Sequence, residues 1–370
     1  MNILITTGIF PPDVGGPAKF VPLIAKRLSE EHNLKVITLS NKILHDNFLE
    51  YKILRINRNQ NRIIRFFKTT YSILKNGKEV EVIFVNGLWL ETYIANLFLK
   101  KIIIRKIVGD PIWEKFYINY KINDNFDEFQ KKKYNLKIEF LKFVRNTSIR
   151  SANTIIVPSM HLYHFVKDLG FTGDLIQVNN GTIISNSYNK KHSSNNFLVV
   201  SRLVRHKNID LIIKSFKLLL DQYSFDFKLN IVGDGPEFNY LNSLIIDLKL
   251  ENKVFLVGPK YDQDLESYYE SSNLFLQISS YEGMPHSILE AMNFGLTIIA
   301  SNYGGNFELL GNNEYGYIVE SLEIETLAKT IQHATADNSQ ISVKSKNLVN
   351  SKYDIEITAN KYSEIILKYE

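Results

Sequence analysis

Cysteine is absent from all 370 residues of the sequence. This absence excludes disulfides, thiolate metal sites, iron–sulfur clusters and cysteine nucleophiles, and it is compatible with a reducing compartment. Long apolar runs are also absent: the best candidate, residues 80–90, is interrupted by Asn86 and Gly87 and is too short to cross a bilayer as a helix. Residues 1–6 lack the basic and apolar regions of a secretion signal. We therefore expect a cytoplasmic protein that does not cross a membrane.

The composition is that of a packed protein with more than one core. Hydrophobic residues make up 45% and charged residues 22% of the sequence, which excludes wholesale disorder. At about 150 residues per domain, the length favours two domains. The net charge of +5 hides an asymmetry, because residues 1–180 carry 27 Lys and Arg against 16 Asp and Glu, whereas residues 181–370 carry 17 against 23. We therefore expect the two halves to face different partners.

Short apolar runs alternate with helical patterns in the first half. The runs predicted as strands are residues 3–5, 35–39, 82–85, 102–108 and 154–159. A loop rich in Pro and Gly, residues 11–16, follows the first run, and a helix is predicted from Pro17 onward. This alternation is typical of a parallel sheet with helices on both faces.

The second half repeats that rhythm. Its predicted strands are residues 196–201, 229–233, 254–256, 274–277 and 297–300, and its predicted helices include residues 209–220 and 288–294. A polar stretch, residues 179–196, is the predicted linker. We predict an α/β protein of two Rossmann-like domains, residues 1–180 and 181–353, whose parallel sheets face each other across a cleft. A final helix, about 354–370, is expected to pack back on the first domain.

The strongest chemical signal is the run SYEGMPHSILEAM, residues 280–292, which follows a predicted strand and opens a helix. Backbone N–H groups and the dipole at a helix start favour a phosphate or pyrophosphate. Glu282 precedes this helix and Glu290 lies within it, so we expect the first over the anion site and the second along the cleft. A carboxylate can accept two hydrogen bonds from the vicinal hydroxyls of a ribose or a sugar ring. The alternative is a capped surface helix with an incidental Glu.

Two cations follow the first strand of the second half. Arg202 and Lys207 occur in the run VVSRLVRHKN, at the carboxyl edge where doubly wound sheets bind ligands. Two fixed cations at such an edge can neutralise a diphosphate and stabilise it as a leaving group. A solvated basic loop is the alternative interpretation.

A third signal is the glycine pair Gly15 and Gly16, which stands directly ahead of Pro17 at a predicted helix start. Paired glycines let the backbone approach a ligand closely, and the helix start again favours an anion. A plain tight turn explains the same residues equally well.

In this order the segments resemble the family-four retaining glycosyltransferases of the GT-B class, of the type that builds bacterial surface polysaccharides. The matching positions are the Glu-x7-Glu motif at Glu282 and Glu290, the phosphate-binding pair at Arg202 and Lys207, the PP-x-x-GG loop at residues 11–16, and the runs 231–237 and 304–308. The resemblance covers nearly the whole chain, and the combination is specific although no single piece is.

The resemblance implies a role for the matched residues. Glu290 would hold the ribose of the donor, Glu282 a hydroxyl of the donor sugar, and Arg202 with Lys207 the diphosphate. The remaining donor-binding positions would be Gly15, Gly16, Met284, Pro285, His286 and Ser287, with Gly258 near the base. The resemblance also implies a nucleotide-diphosphate sugar as co-substrate, no metal or other cofactor, and retention of the anomeric configuration.

Asp110 stands where many members of this family place a His near the reacting carbon, and a subset of the surface-polysaccharide enzymes has Asp there. By that resemblance Asp110 would bind the donor sugar or orient the acceptor hydroxyl. The local sequence fits a helix N-cap equally well, because Pro111 follows at the first helical position. Both interpretations remain open at this point.

Residues 52–78 contain eight basic residues and no acidic one, interspersed with Ile63, Ile64, Phe66 and Phe67. This mixture attracts an anionic membrane surface. We hypothesise peripheral association with the inner face of the cytoplasmic membrane and a glycan or polyprenyl- or lipid-linked acceptor. The alternative is a solvated basic face whose apolar side chains turn inward. Nucleic acid is not an expected partner, since no recognised motif for it occurs.

The leading prediction is therefore a retaining glycosyltransferase that acts in surface polysaccharide or glycolipid synthesis. A sugar-nucleotide epimerase or hydrolase on the same fold would instead turn over the donor without an acceptor. A catalytically silent partner subunit would bind the sugar-nucleotide and not react. A dehydrogenase is disfavoured, because Phe238 replaces the third glycine of the dinucleotide fingerprint that opens at Gly233.

Overall fold

A computed structural model describes residues 1–13, 15–41, 50–184, 196–222, 227–336 and 340–370. They form two compact units, of which the first comprises Met1–Val108, Tyr134–Asn179 and Ile355–Glu370, and the second comprises Gly109–Lys133 and Asn180–Asp354. This grouping differs from the predicted domain ranges at one segment, because residues 109–133 group with the second unit. Most of the predicted linker, residues 185–195, lies outside the described residues.

The first unit contains a sheet whose neighbouring strands all pair in parallel. The strands are Asn2–Thr7 (β1), Asn33–Ser40 (β2), Lys52–Asn57 (β3), Val82–Val85 (β4), Ile102–Lys106 (β5), Thr154–Val157 (β6) and Asp174–Gln177 (β7). Their order across the sheet is β3-β2-β1-β4-β5-β6-β7. Every residue of β4 and β6 is buried, because these central strands are covered on both faces.

The second unit contains a second parallel sheet. Its strands are Asn196–Val200 (β8), Lys228–Val232 (β9), Val254–Gly258 (β10), Leu274–Gln277 (β11), Thr297–Ser301 (β12) and Tyr317–Val319 (β13). Their order is β10-β9-β8-β11-β12-β13. One hydrophobic cluster is centred on Phe197 and Ile212, and a second cluster is centred on Phe275 and Ile288.

Helices connect the strands in both units. Their bounds are Gly16–Ser29 (α1), Arg62–Gly77 (α2), Trp89–Leu99 (α3), Pro111–Ile118 (α4), Phe126–Lys131 (α5), Leu136–Arg150 (α6), Met160–Asp168 (α7), Ile209–Gln222 (α8), Phe238–Asp247 (α9), Asp262–Glu270 (α10), His286–Asn293 (α11), Asn306–Leu310 (α12), Ile324–Ala336 (α13), Ile341–Lys352 (α14) and Ile355–Leu367 (α15). A short 3₁₀ turn covers Arg205–Lys207. In the part of the chain that the structure describes, none of these helices is both long enough and apolar enough to span a membrane.

The last helix, α15, belongs to the first unit and packs against α1. The ring of Tyr362 meets the edge of Phe20 at a centroid distance of 4.7 Å, and Arg27 forms an ion pair with Glu356. Ile355, Ala359 and Ile366 are buried in the same cluster as the strands of the first sheet, so the C-terminal helix completes the core of this unit.

The segment of residues 109–133, which carries α4 and α5, is joined to the second unit by aromatic packing. Trp113 is 1% exposed, and its ring lies 5.5 Å from that of Tyr281 and 5.9 Å from that of His206. Phe126 stacks on Tyr281 with their ring centroids 4.0 Å apart and an interplanar angle of 4°. These contacts explain why the segment groups with residues that follow it by more than 70 positions in the chain.

Candidate functional site

The second sheet has its topological switch point between β8 and β11, because chain order runs from β8 toward β10 on one side and from β11 toward β13 on the other. Ligands of open parallel sheets bind outside the carboxyl ends of the strands at such a point. Arg202 and Lys207 follow β8, and Glu282 follows β11. The topology therefore brings the two predicted motifs of this unit together.

Glu282 is the centre of a polar network. Its Oε1 accepts hydrogen bonds from Lys207 Nζ, from Ser279 Oγ at 2.6 Å and from Gln277 Nε2 at 2.7 Å. Its Oε2 has no hydrogen-bond partner among the described residues, which leaves that oxygen available to a ligand. Burial by itself would raise the pKa of Glu282, but the Lys207 ammonium and the bonds from Lys207 and Ser279 outweigh it and hold the pKa below its ordinary value.

The network extends to the start of α11. Ser287 donates from Oγ to Gln277 Oε1 at 2.6 Å, and the same Gln277 amide donates to Glu282. Sequence reasoning missed Gln277 and Ser279. The signal that could have found Gln277 is its place as the single polar residue ending the otherwise apolar strand β11, at the carboxyl edge of the sheet.

Arg202 lies near the ion pair of Lys207 with Glu282, and it forms an ion pair of its own with Glu114 of α4. The Arg202 side chain is 56% exposed in this second pair. Both Arg202 and Lys207 act electrostatically on the buried His206, as does Glu282, so these four side chains are close together. Burial and the two neighbouring cations lower the pKa of His206 to about 3, so its imidazole is neutral at pH 7. Its Nδ1 has no hydrogen-bond partner within the described residues.

Glycines hold the two loops of the site close to their neighbours. A Cβ on Gly304 would lie 1.9 Å from the carbonyl oxygen of Glu282, and the Gly305 N–H donates to that oxygen at 2.8 Å. In the same way, a Cβ on Gly233 would lie 1.9 Å from the carbonyl oxygen of Ser201, directly before Arg202. Only glycine allows this backbone approach, so the runs that contain Gly233 and Gly304 support the loops of Arg202 and Glu282.

The helix that follows Glu282, α11, begins at His286 with Pro285 as its N-cap and without a side-chain cap. Its first N–H groups therefore remain available to an anion. Met284 is buried, and its carbonyl oxygen accepts from Asn180 Nδ2 at 2.8 Å, so only its backbone can serve the site. His286 Nδ1 lies 3.2 Å from the carbonyl oxygen of Gly181.

Glu290, in the middle of α11, accepts a hydrogen bond from the hydroxyl of Tyr269 at 3.0 Å. Burial and the Glu290 carboxylate raise the pKa of Tyr269 well above its usual range, and this ring stacks on Phe294 at 5.3 Å. Tyr269 thus fixes Glu290 from α10. Nothing in the sequence distinguishes Tyr269 from its neighbour Tyr268, so sequence reasoning missed it.

Asp110 is the N-cap of α4, which confirms the capping interpretation. Its side chain accepts from the Ile112 N–H at 2.9 Å through one oxygen and from Gln130 Nε2 at 3.0 Å through the other. The residue is 2% exposed. Because both carboxylate oxygens already have partners, the structure gives Asp110 a clear structural task, while a role toward a ligand stays a prediction.

Of the remaining predicted residues, Gly258 lies at a strand end, and Gly15 and Gly16 lie at a helix start. Gly258 ends β10 with φ of +73°, and a Cβ there would meet nothing within 4 Å. Gly15, with φ of +145°, precedes Gly16 at the start of α1 in the first unit, and its carbonyl oxygen accepts from the Ala18 N–H at 3.0 Å. Within the described residues no group of three or more His, Asp and Glu is placed to hold a metal ion.

Comparison with known proteins agrees with this geometry. Residues 181–352 match the family model of the glycosyl transferases group 1. This region is therefore similar to the group 1 glycosyl transferases. The match includes the loop of Arg202 and Lys207, the loop of Glu282 with α11, and the glycine runs that support these loops. Over these residues the match agrees with the expected family.

The curated proteins that are similar to this chain include several from bacteria. An uncharacterized glycosyltransferase of Haemophilus influenzae is 31% identical over 200 residues, which is 53% of this chain and 56% of the relative. The UDP-Gal:alpha-D-GlcNAc-diphosphoundecaprenol alpha-1,3-galactosyltransferase of Escherichia coli is 30% identical over 47% of this chain and 44% of its own length. The matched part of the chain thus spans about half the length of these relatives.

Solved structures resemble the chain over its full length. Anabaena HepE in complex with UDP and glucose has a TM-score of 0.78 at 18% identity and covers 100% of both chains. WaaG, a glycosyltransferase involved in lipopolysaccharide biosynthesis, has a TM-score of 0.74 at 14% identity and covers 98% of this chain and 99% of its own. This likeness, with the two parallel sheets, confirms the predicted GT-B fold class.

Proposed function

We propose that this protein is a retaining glycosyltransferase that moves a sugar from a nucleotide-diphosphate sugar to a glycan or lipid-linked acceptor, in the synthesis of bacterial surface polysaccharide or glycolipid. The observation that carries the proposal is the ion pair of Lys207 with the buried Glu282, with Arg202 beside it at the switch point of a group 1 glycosyl transferase domain. The nucleotide-sugar donor and the retaining mechanism are part of the proposal.

Binding of the donor follows from the charges of the site. Arg202 and Lys207 would hold the diphosphate, supported by the uncapped N-terminus of α11. Glu290, fixed by Tyr269, would accept hydrogen bonds from the ribose hydroxyls. The free Oε2 of Glu282 would accept from a hydroxyl of the donor sugar, while its Oε1 keeps the bonds from Ser279 and Gln277.

Catalysis by this set is electrostatic. As the bond between the anomeric carbon and the diphosphate oxygen breaks, negative charge grows on the diphosphate, and the two cations with the helix N-terminus stabilise it without a metal. The acceptor hydroxyl then forms the new bond on the face that the diphosphate leaves, and its proton passes to the leaving phosphate oxygen. This same-face course retains the anomeric configuration.

The names of relatives agree with a donor of this kind. The Escherichia coli relative is named for transfer from UDP-Gal to a diphosphoundecaprenol-linked sugar. HepE is described in complex with UDP and glucose. We therefore propose a UDP-sugar as the first donor to test and a polyprenyl-diphosphate-linked glycan as the first acceptor.

Membrane association through the first unit is a further part of the proposal. Helix α2 buries Thr69 and Ile73 on one side, whereas Ile63 and Phe67 on the other are 67% and 65% exposed. The alternative that the apolar side chains of this stretch turn inward is therefore wrong for these two residues. The neighbouring Arg62, Lys68 and Lys75 are exposed as well, so α2 presents apolar and cationic groups together, as an anionic bilayer surface requires.

Exposed apolar side chains also occur on two other helices of the first unit. Helix α3 packs against α2 and exposes Leu97 and Phe98, and α6 exposes Leu136, Phe140 and Phe143. Exposed aromatic and aliphatic groups in this number are unusual for a surface that faces only water. They support association with the inner face of the cytoplasmic membrane, where a lipid-linked acceptor would be found.

The experiment for the proposed function is a calorimetric titration of the protein with UDP, GDP, CDP, ADP and dTDP, repeated on Glu290→Ala. We expect one nucleotide to bind and to bind more weakly to the variant, because the ribose hydroxyls lose their acceptor. Glu270→Ala, an exposed carboxylate of α10, is the matched control and should bind as the wild type does. Absence of binding by every nucleotide contradicts the proposal.

A further inference from the structure

The ion pair of Arg202 and Glu114 connects a predicted phosphate-binding cation to a carboxylate of the protein itself. Glu114 lies on α4, far from Arg202 in sequence, and both residues belong to the second unit. The Arg202 side chain is 56% exposed and that of Glu114 is 39% exposed, so water and a ligand have access to the pair. An exposed pair of this kind is weak and exchanges readily.

The position of Glu114 is nevertheless fixed, because α4 is anchored on either side of it. Asp110 caps the helix N-terminus, and the next turn is held by the buried Trp113, whose Nε1 donates to the carbonyl oxygen of Asp124 at 3.0 Å. Beyond the helix, Arg205 donates to the carbonyl oxygen of Ile122 at 3.0 Å and to Asn123 Oδ1 at 2.7 Å. The helix backbone that carries Glu114 is therefore fixed beside Arg202, whose own side chain is 56% exposed.

Glu114 also adds negative charge where an anionic ligand is expected. Asp110, Glu282, Asp127 and Glu114 all act electrostatically on the buried Tyr281, which places the Glu114 carboxylate near the Glu282 loop. A diphosphate bound between Arg202 and Lys207 would meet this charge, since like charges repel at short range.

We propose that Glu114 competes with the diphosphate of the donor for Arg202, so that binding the nucleotide requires Arg202 to exchange the carboxylate for a phosphate oxygen. Glu114 is thus a residue that sets the affinity for the donor and that eases release of the nucleoside diphosphate after transfer. This inference rests on the proposed function, because it takes the diphosphate to bind at Arg202.

The test is a calorimetric titration of wild type and Glu114→Gln with UDP, pyrophosphate and uridine. Glutamine keeps the size of the side chain and removes its charge, so we expect UDP and pyrophosphate to bind about threefold to tenfold more tightly to the variant. Uridine has no phosphate, so its affinity should not change. A residue that only supports α4 would instead lower the affinity for all three ligands or leave it unchanged.

Two further variants identify the route of the effect. The Tyr120 hydroxyl, in the segment of residues 109–133, donates to Glu237 at 3.0 Å, so Glu237→Gln weakens a contact of the same segment. This variant should not strengthen UDP binding. In an Arg202→Ala background, Glu114→Gln should increase the affinity for UDP much less than it does in the wild type, because the two residues act on each other.

The outcomes separate the two proposals. Tighter UDP binding to Glu114→Gln, absent from Glu237→Gln and reduced without Arg202, supports the competition. UDP binding that is equal or weaker in Glu114→Gln overturns the inference and leaves the proposed function intact. Failure of UDP and of the other nucleoside diphosphates to bind any variant, wild type included, overturns the proposed function and the inference with it.

Discussion

The carboxylate of Glu282 shows how one side chain can be both a structural and a binding group. Its Oε1 receives three donors from Lys207, Ser279 and Gln277, whereas its Oε2 receives none from the described residues. The bonds to the first oxygen keep the buried side chain ionised and oriented, and the second oxygen would accept a hydrogen bond from a ligand in the proposed function. Preorganisation of this kind reduces the entropy that ligand binding must overcome.

Loss of the Lys207 ammonium should leave Glu282 as a buried carboxylate with neutral partners only. We expect Lys207→Ala to lower the free energy of unfolding by about 2–4 kcal/mol at pH 7. The pKa of Glu282 is held below its ordinary value of 4.5 by Lys207, so this stabilisation is present above pH 4.5 and is lost as the pH falls through the lowered pKa. The loss caused by the mutation should therefore shrink in acid.

Urea unfolding at pH 7 and at pH 4 measures that difference. The control is Lys214→Ala, which removes a half-exposed pair with Asp210 on α8 and should cost less than about 1 kcal/mol at either pH. An equal cost for the two lysine variants at pH 7 would show that the Lys207 pair does not hold Glu282 ionised.

His206 should stay neutral over the physiological pH range. Burial and the cations Lys207 and Arg202 lower its pKa to about 3, whereas the unfolded value is 6.5. The unfolded state therefore binds more protons between these values, and this group makes stability fall as the pH drops below 6.5. In a ¹H–¹⁵N NMR titration its ring signals should not shift between pH 8 and pH 5, while a midpoint near 6.5 would contradict the burial.

At this scale the sequence predicts the charged residues of the site but not their partners. Glu282, Glu290, Arg202 and Lys207 were found because they stand at motif spacing after predicted strands. Their partners Tyr269 and Glu114 come from other elements, and their contacts depend on how helices pack. The residue pattern along the sequence does not predict how these helices pack.

Among the secondary-structure elements, the turns after β9 and β12 determine where the loops of Arg202 and Glu282 lie. Gly233 and Gly304 approach the backbone of the preceding loops so closely that any side chain would collide. Both runs resemble patterns of the family in the sequence, but that resemblance does not indicate this close backbone approach. The task appears only when neighbouring strands are placed side by side.

Replacement of Gly304 by Ala should displace the Glu282 loop. The new Cβ would lie 1.9 Å from the Glu282 carbonyl oxygen, and φ of +60° is strained for alanine. We expect a loss of at least about 2 kcal/mol in the free energy of unfolding and loss of nucleotide binding in the folded fraction. Thermal unfolding and calorimetry together measure both effects.

The control for this prediction is Gly311→Ala. Its φ of +50° imposes a comparable backbone strain, but its nearest contact is the Tyr315 ring at 3.4 Å rather than a backbone oxygen. That variant should lose stability and keep nucleotide affinity. Equal affinities for both alanine variants would mean that Gly304 does not position Glu282.

The strands show where periodicity succeeds and fails. The apolar runs at β1, β4, β6 and β11 were predicted because buried strands covered on both faces are continuously apolar. Edge strands β3, β7 and β13 were not predicted as strands. Strand β3, Lys52–Asn57, falls in the basic stretch, where Lys52 and Arg55 interrupt the apolar pattern of a partly exposed edge.

Over the whole molecule, the charge asymmetry between the halves fits two different tasks. The first unit carries the excess of basic residues together with the exposed side chains of α2, and the second unit carries the acidic residues Glu282 and Glu290, which we propose to bind a sugar-nucleotide. The asymmetry was visible in the sequence. The exposure of Ile63 and Phe67 was not, because the pattern of α2 alone does not say which side packs against the sheet.

Replacement of Ile63 and Phe67 by Ser should weaken membrane binding. Both side chains are more than half exposed, so the fold should be unaffected, whereas their burial among lipid headgroups would be lost. We expect binding to vesicles that contain phosphatidylglycerol to fall about tenfold or more. Cosedimentation measures it, with Val343→Ser, an exposed apolar residue of α14, as the control. Equal binding of the protein to vesicles with and without anionic lipid contradicts the proposal that α2 associates with an anionic membrane surface.

The central claim is tested most directly by measuring transfer of labelled sugar from a panel of UDP-sugars to a polyprenyl-diphosphate-linked acceptor, with NMR assignment of the product's anomeric configuration. The wild-type protein and Lys214→Ala should form product with retained configuration and release UDP only with acceptor present, and Lys207→Ala should lose at least about a hundredfold in rate. UDP release without acceptor, an inverted product, or full activity of Lys207→Ala would contradict the account.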